Sequence, residues 1–183
     1  MFETKRLVLR QWQSSDYEPF VALNADPEVM RYFPKVLSRL ESNGMIERIK
    51  EHQTKHGFGL WVLEHQQTRQ FMGFIGLNIP TFQAHFTPTV EVGWRLAQPF
   101  WGHGYATEGA RASLDYGFNT LRLPEIVSFT ATINHRSIAV MQRLGMTTDV
   151  TENFDHPKLP LGHALRPHVL YRISKNQLGL PES

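Results

Sequence analysis

Apolar and polar positions along the chain change period several times, and each change marks an element. The short apolar run inside Arg6-Leu7-Val8-Leu9-Arg10 reads as a first strand. Ser14-Ser15-Asp16 offers a helix cap, and residues 17–24 follow as a short helix. Asp26-Pro27 restarts the chain, because proline suits a first helical turn. Ser38 and Glu41 have the spacing of a capping box, so a helix opens there and runs to about residue 56. Met45, Ile46 and Ile49 form part of its buried stripe, Gly44 is a weak point within it, and Gly57 ends it.

Residues 58–63 then read as a strand, 65–70 as a polar turn, 71–79 as the returning strand and 80–88 as a loop. Strand periodicity resumes over 89–96. A helical period covers 106–121, with Ala106, Ala110, Leu114, Phe118 and Leu121 on one face. A strand over 126–131, a short helix over 137–144 closed by Gly145, and two terminal strands near 147–153 and 168–173 complete the series. This order predicts an α/β (α+β) fold with a mixed central sheet of about six to seven strands and helices on both faces. The 183 residues fit one domain spanning 1–183.

Composition narrows the function more than the fold. A hydrophobic content of 41% and a charged content of 20% describe an ordinary globular chain rather than a disordered one. With 19 Lys and Arg against 17 Asp and Glu, the net charge is +2, which gives no footprint for nucleic acid. The absence of cysteine removes disulfides, thiolate metal sites and a cysteine nucleophile, and favours a cytoplasmic setting. The first residues lack a secretory apolar region, and no apolar run approaches a membrane span, so no membrane partner is expected.

The chemistry concentrates in Trp101-Gly102-His103-Gly104-Tyr105-Ala106-Thr107-Glu108. A strand enters a turn with two glycines, and the turn opens a helix. Glycine permits close backbone approach, and the first N–H groups of a helix point outward at an anion. The dipole alone contributes about 0.3–1 kcal/mol, whereas each hydrogen bond to a charged partner adds about 1.5–3 kcal/mol. Several such amides hold a pyrophosphate without help from Lys or Arg. A P-loop requires Gly-Lys-Ser/Thr and a dinucleotide fingerprint requires G-x-G-x-x-G; neither is present. By itself the segment fits a plain strand-to-helix turn equally well.

This segment resembles the coenzyme A motif of the GNAT N-acetyltransferases, and most closely the branch that acetylates ribosomal-protein N-termini. Trp101 stands where the family commonly has Arg or Gln, Gly104 at the central glycine and Ala106 at the last position. A second segment, Asn134-His135-Arg136-Ser137 leading to Leu144-Gly145-Met146, resembles the family's Asn-x-x-Ser helix. The Arg6 to Arg10 strand, the Asp26 to Phe33 segment as an early helix, and the Phe71 to Leu77 hairpin strand resemble the rest of the fold. The resemblance implies acetyl-coenzyme A as co-substrate. It implies cofactor contacts at Trp101, Gly102, His103, Gly104, Tyr105, Ala106, Thr107 and Asn134. Ser137 would touch the thiol or give it a proton. Read alone, Asn134 and Ser137 are a helix cap.

Amine acetylation needs a neutral amine. An α-amine is neutral in roughly one molecule in ten at pH 7, and a lysine amine in about one in a few thousand. A base is therefore useful, and Glu91 is the candidate. Alternation puts Val90, Val92, Trp94 and Leu96 on one face of its strand and Glu91, Gly93 and Arg95 on the other. Desolvation there would raise its pKa; an ion pair with Arg95 or another Arg is the structural alternative. His52 and His56 have i,i+4 spacing but no third ligand, so no metal is expected. His85, His156, His163 and His168 are candidates for lining an acceptor cleft. The expected reaction is direct acetyl transfer to a small-molecule or protein N-terminal amine. Transfer of another acyl group, or a non-catalytic acyl-coenzyme A sensor, are the rivals. The acceptor and the oligomeric state stay open.

Overall fold

The computed structural model describes residues 2–178; the expected domain of residues 1–183 runs past them at both ends. Eight strands form a single sheet: β1 (Phe2–Glu3), β2 (Leu7–Arg10), β3 (Leu60–His65), β4 (Phe71–Asn78), β5 (Glu91–Leu96), β6 (Glu125–Ala131), β7 (Phe154–Asp155) and β8 (Pro167–Ser174). Their spatial order is β1-β2-β3-β4-β5-β6-β8-β7. Every neighbouring pair is antiparallel except β5 and β6. The sheet exceeds the expected six to seven strands because β1 and β7 are two-residue pairings, too short to carry a period.

The helices are α1 (Tyr17–Ala25), α2 (Arg39–His56), α3 (Tyr105–Asp115) and α4 (His135–Arg143). Alternation along the strands sends them to opposite faces. Leu7, Leu9, Leu63, Ile75, Leu77, Val92 and Leu96 face α3 and α4 and join Ala110, Leu114, Phe118 and Met141 in the larger core. Val62 and Phe74, one position out of step, face α1 and α2 and meet Phe20, Leu23, Ile46 and Ile49. A third cluster, Phe86 with Val127 and Leu170, covers the far end of that second face.

The signals of α2 act as read. Ser38 Oγ accepts from the Glu41 amide and the Glu41 carboxylate accepts from the Ser38 amide, closing the capping box. Gly57 ends the helix in the left-handed region, at φ 76°. Two expectations fail, and a third is met with a change of helix type. Asp26 to Phe33 forms turns rather than a helix: the Asp26 side chain caps a first turn through the Glu28 and Val29 amides, closed by Met30 N–H to Asp26 O, but no continuous ladder follows it. The strand expected near 147–153 is reduced to a bridge at Thr147 and a 3-10 turn at Val150–Glu152, capped by Asp149. Beyond Asp115 the third helix widens into a π-helical turn, Tyr116–Thr120, where Gly117 lies against Ile126.

Candidate active site

The one parallel pair in the sheet shapes the site. β5 and β6 share a single register pair, Glu91 with Val127. Val127 N–H donates to Val90 O over 3.0 Å, and the Ser128 hydroxyl donates to Val92 O over 3.0 Å. Beyond Val92 the two strands part. Main-chain groups of even-numbered β5 residues point towards β6, so those of Trp94 and Leu96 face the resulting slot. At the slot's lip the Trp101 indole donates to Leu96 O over 2.7 Å. The Arg136 guanidinium, from the first turn of α4, lies 4.4 Å over the Trp101 ring.

The β5–α3 turn sits beside this slot. Gly102 and Gly104 both take positive φ, 79° and 81°, a region that side chains disfavour, and Gly104 is the N-cap of α3. Trp101 N–H is already engaged by Gln98 O, and the first helical bond runs from Glu108 N–H to Gly104 O. Between these, the main-chain N–H groups of Gly102, His103, Gly104, Tyr105, Ala106 and Thr107 have no partner among the described residues. Six successive free donors at a helix N-terminus make an anion cradle. Its back is fixed by Arg6. That side chain gives Nε and Nη2 to the Glu108 carboxylate, each at 2.6 Å, and Nη1 to His103 O at 3.0 Å, and it covers the Tyr105 ring at 4.6 Å. Trp101 thus shapes the cradle with its indole, and its own amide is spent.

Across the slot, Asn134 caps α4. Its Oδ1 accepts from Ser137 N–H over 3.3 Å and its Nδ2 donates to Thr130 Oγ1 over 2.9 Å. The Ser137 hydroxyl has no hydrogen bond among the described residues.

Glu91 lies on the opposite face of β5, as alternation required. It makes no ion pair, with Arg95 or any other described cation; its Oε1 accepts from Asn78 Nδ2 over 2.8 Å. Burial pushes its carboxyl up to about 7, against smaller lowering effects of the Asn78 bond and the charge of Lys158. The sheet register extends the site. On this face Asn78 pairs with Glu91, Gly76 with Gly93, and Phe74 with Arg95. The middle pair has no side chains, and space above Gly93 is open to at least 4 Å around an ideal Cβ. The result is a trough floored by two glycines, with a carboxyl at one end and a guanidinium at the other.

The histidines divide. His52 and His56 lie 4.5 Å apart with their rings tilted by 37°, and His52 Nδ1 is engaged with Phe58 O at 3.0 Å. Among the described residues no group of three or more His, Cys, Asp or Glu side chains is placed to hold a metal ion. His156 and His168 sit 4.9 Å apart among Phe82, Phe129 and Phe154. Desolvation pushes His156 down to about 4 and lowers His168 as well. His85 adjoins Phe86 and Phe154, and His163 bonds the Leu165 amide. The sequence placed Gly93 beside Glu91 but not Gly76 or Asn78; the signal available was that 76 and 78 share one face of their strand.

No described helix is long and apolar enough to cross a membrane. The family model described as an acetyltransferase (GNAT) domain matches residues 6–147. The chain is 31% identical over 150 residues to the uncharacterised N-acetyltransferase YoaA of Bacillus subtilis, covering 79% of this chain and 81% of that protein. It is 35% identical over 151 residues to the FsC-acetyl coenzyme A-N(2)-transacetylase of Aspergillus fumigatus, covering 79% of this chain but 63% of that longer protein. Among solved structures, an acetyltransferase from Agrobacterium tumefaciens superposes with a TM-score of 0.76 at 28% identity, covering 95% of this chain and 94% of that one.

Proposed function

The chain belongs to the GNAT acetyltransferase family, and from that membership we propose that residues 1–183 act as one cytoplasmic domain in which Glu91 and Ser137 carry the proton transfers. The enzyme moves an acetyl group from acetyl-coenzyme A to an amine. The run of free amides from Gly102 to Thr107 beside the parted strands carries this reading, because it combines an anion cradle with a slot leading to Glu91. The cradle takes the pyrophosphate, with Trp101 and Arg136 at the lip and Asn134 across the slot. The thioester then lies between β5 and β6, within reach of main-chain donors at Trp94.

In direct transfer the amine nitrogen attacks the thioester carbonyl carbon and the carbon–sulfur bond breaks. Glu91 takes the proton that the amine loses. With its carboxyl near 7 it is about half ionised at neutral pH and is matched to that task. Ser137 gives a proton to the departing thiolate and recovers one from solvent. The Trp101 to Glu108 sequence resembles the branch that acetylates ribosomal-protein N-termini, so peptide α-amines stand beside small amines as acceptors.

Calorimetry with acetyl-coenzyme A, alongside thiol release in the presence of mixed amines, tests the assignment. One site per chain and amine-dependent turnover are expected. Pantetheine lacking the phosphates should bind much more weakly; equal affinity would remove the cradle. Tight binding without turnover would make the protein an acyl-coenzyme A sensor.

A further inference from the structure

Arg95 is a buried cation without an acid. It is 8% exposed, and no carboxylate among the described residues approaches it. Of its five N–H donors, one bond is made, from Nη1 to the neutral Asn24 Oδ1 at 2.6 Å. Its Nε is buried with no partner at all, and Nη2 likewise donates to nothing described. The guanidinium lies over two aromatic rings, Phe33 at 3.9 Å and Phe74 at 5.2 Å from their ring centres. Burial alone pushes its pKa down to about 10, so it stays charged at neutral pH.

Leaving a charge buried and unpaired is costly, and natural sequences normally supply a counter-ion. Arg10, at a comparable depth, receives two: Asp16 and Glu64. Arg95 receives none among the described residues, and one edge of its guanidinium is unspent. The Nε and Nη2 donors of that edge are parallel and spaced for the two oxygens of a carboxylate. Arg95 shares its face of β5 with Gly93 and Glu91 and lies four residues along from Glu91. At about 3.3 Å per residue, some 13 Å of strand separate the two Cα positions.

We propose that Arg95 binds a carboxylate of the acceptor, and that the acceptor is an amino acid or related amine whose carboxylate lies at Arg95 while its amine lies at Glu91. This rests on the acetyl-transfer reading above, which gives the trough its reactive end. The substrate itself completes the ion pair that the protein leaves open. Diamines, which would bring a second cation to Arg95, are excluded by the same charge.

The test uses the full chain and a panel of matched amine pairs, amino carboxylates of increasing length and their carboxamides. Thiol release is measured alongside the shift in melting temperature with each compound. For the best carboxylate, kcat/KM should exceed that of its carboxamide by about 10- to 150-fold, the ratio set by a hydrogen-bonded charge. Arg95→Gln should erase that preference and leave acetyl-coenzyme A affinity unchanged. Asn24→Asp, which supplies an internal anion, should erase it too and raise the melting temperature. Carboxamides accepted as well as carboxylates, or an Arg95→Gln variant that keeps the preference, would overturn the proposal. If no amine is acetylated but carboxylates still stabilise the parent and not Arg95→Gln, the anion site stands and amine acetylation falls. If carboxylates neither react nor stabilise, the anion site falls.

Discussion

Asn78 donates to Glu91 across 2.8 Å from the register-paired position on the neighbouring strand, so the candidate base is oriented by the sheet itself. This bond favours the ionised carboxylate and works against burial, which favours the neutral acid. The two together set where the carboxylate is available. The rate should fall on acidification through one ionisation near 7. Asn78→Ala should move that limb to higher pH, because a force lowering the pKa is lost. A pH–rate profile of kcat/KM that is unchanged in this variant would remove Glu91 from the rate law.

Glu91→Gln should keep the fold and the coenzyme affinity and lose about 10²–10⁴-fold in kcat. High pH should partly rescue it, since more acceptor amine is then neutral unaided. Stability gives a second reading with the opposite sign. The folded carboxyl binds its proton more tightly than the unfolded one, so its contribution is fully present below about 4.5 and is lost as pH rises through about 7. The glutamine variant should therefore match the parent near pH 4 and melt higher than it at pH 8. Paired melting curves at the two pH values decide this.

Gly104→Val forces a β-branched residue to φ 81°, at a cost of about 1–2 kcal/mol or more. An added Cβ meets no backbone, only the Arg6 guanidinium at 3.6 Å, so the fold should survive. The damage should appear as at least a tenfold weaker affinity for acetyl-coenzyme A by calorimetry. A folded variant with unchanged affinity would take Gly104 out of the cradle.

Ser137→Ala should lower kcat by roughly 10- to 100-fold while leaving coenzyme affinity nearly intact, since the proposed bond to the departing sulfur forms in the transition state. The cap of α4 should persist, because it uses the Ser137 amide and not its hydroxyl. Loss of binding with kcat unchanged would make the hydroxyl a ground-state contact.

Arg10 should behave in the opposite way to Arg95. Two of its nitrogens bond Asp16 at 2.8 Å each and a third bonds Glu64 at 2.7 Å, all nearly buried. Arg10→Met leaves two carboxylates buried there and should cost about 3–5 kcal/mol in denaturant unfolding, without altering kcat in the folded fraction. A neutral effect on stability would mean that water or Arg69, which also reaches Glu64, takes over the pairing.

The sequence was legible where one residue type performs one geometric task. Ser38, Glu41 and Gly57 bound α2 as their chemistry requires, and the two glycines of the cradle take the positive φ for which glycine is suited. Alternation placed Glu91, Gly93 and Arg95 on a common face. What escaped was set by tertiary partners. Asp26 caps a first turn with its carboxylate and also accepts from Gln98, yet the helix expected at Pro27 stops at single turns. Glu91 and Arg95, weighed as an ion pair in the sequence, lie four residues apart on an extended strand, and each engages a different amide, Asn78 and Asn24. The strand expected after Thr147 lacks a neighbour beyond its one bridge, and local capping by Asp149 prevails.

The single rung joining β5 to β6 divides the sheet into two plates, β1 to β5 on one side and β6, β8 and β7 on the other. Elsewhere, long antiparallel ladders make neighbouring strands move as one. At this seam the plates are coupled mainly through side chains, so a small rotation about Glu91 and Val127 changes the width of the slot while breaking few main-chain bonds. A thioester lodged there, as proposed, would act as a strut between the plates. Amide hydrogen exchange at Trp94 and Leu96 should consequently be fast in the free protein, although Leu96 is 5% exposed as a residue, and should slow when acetyl-coenzyme A spans the seam.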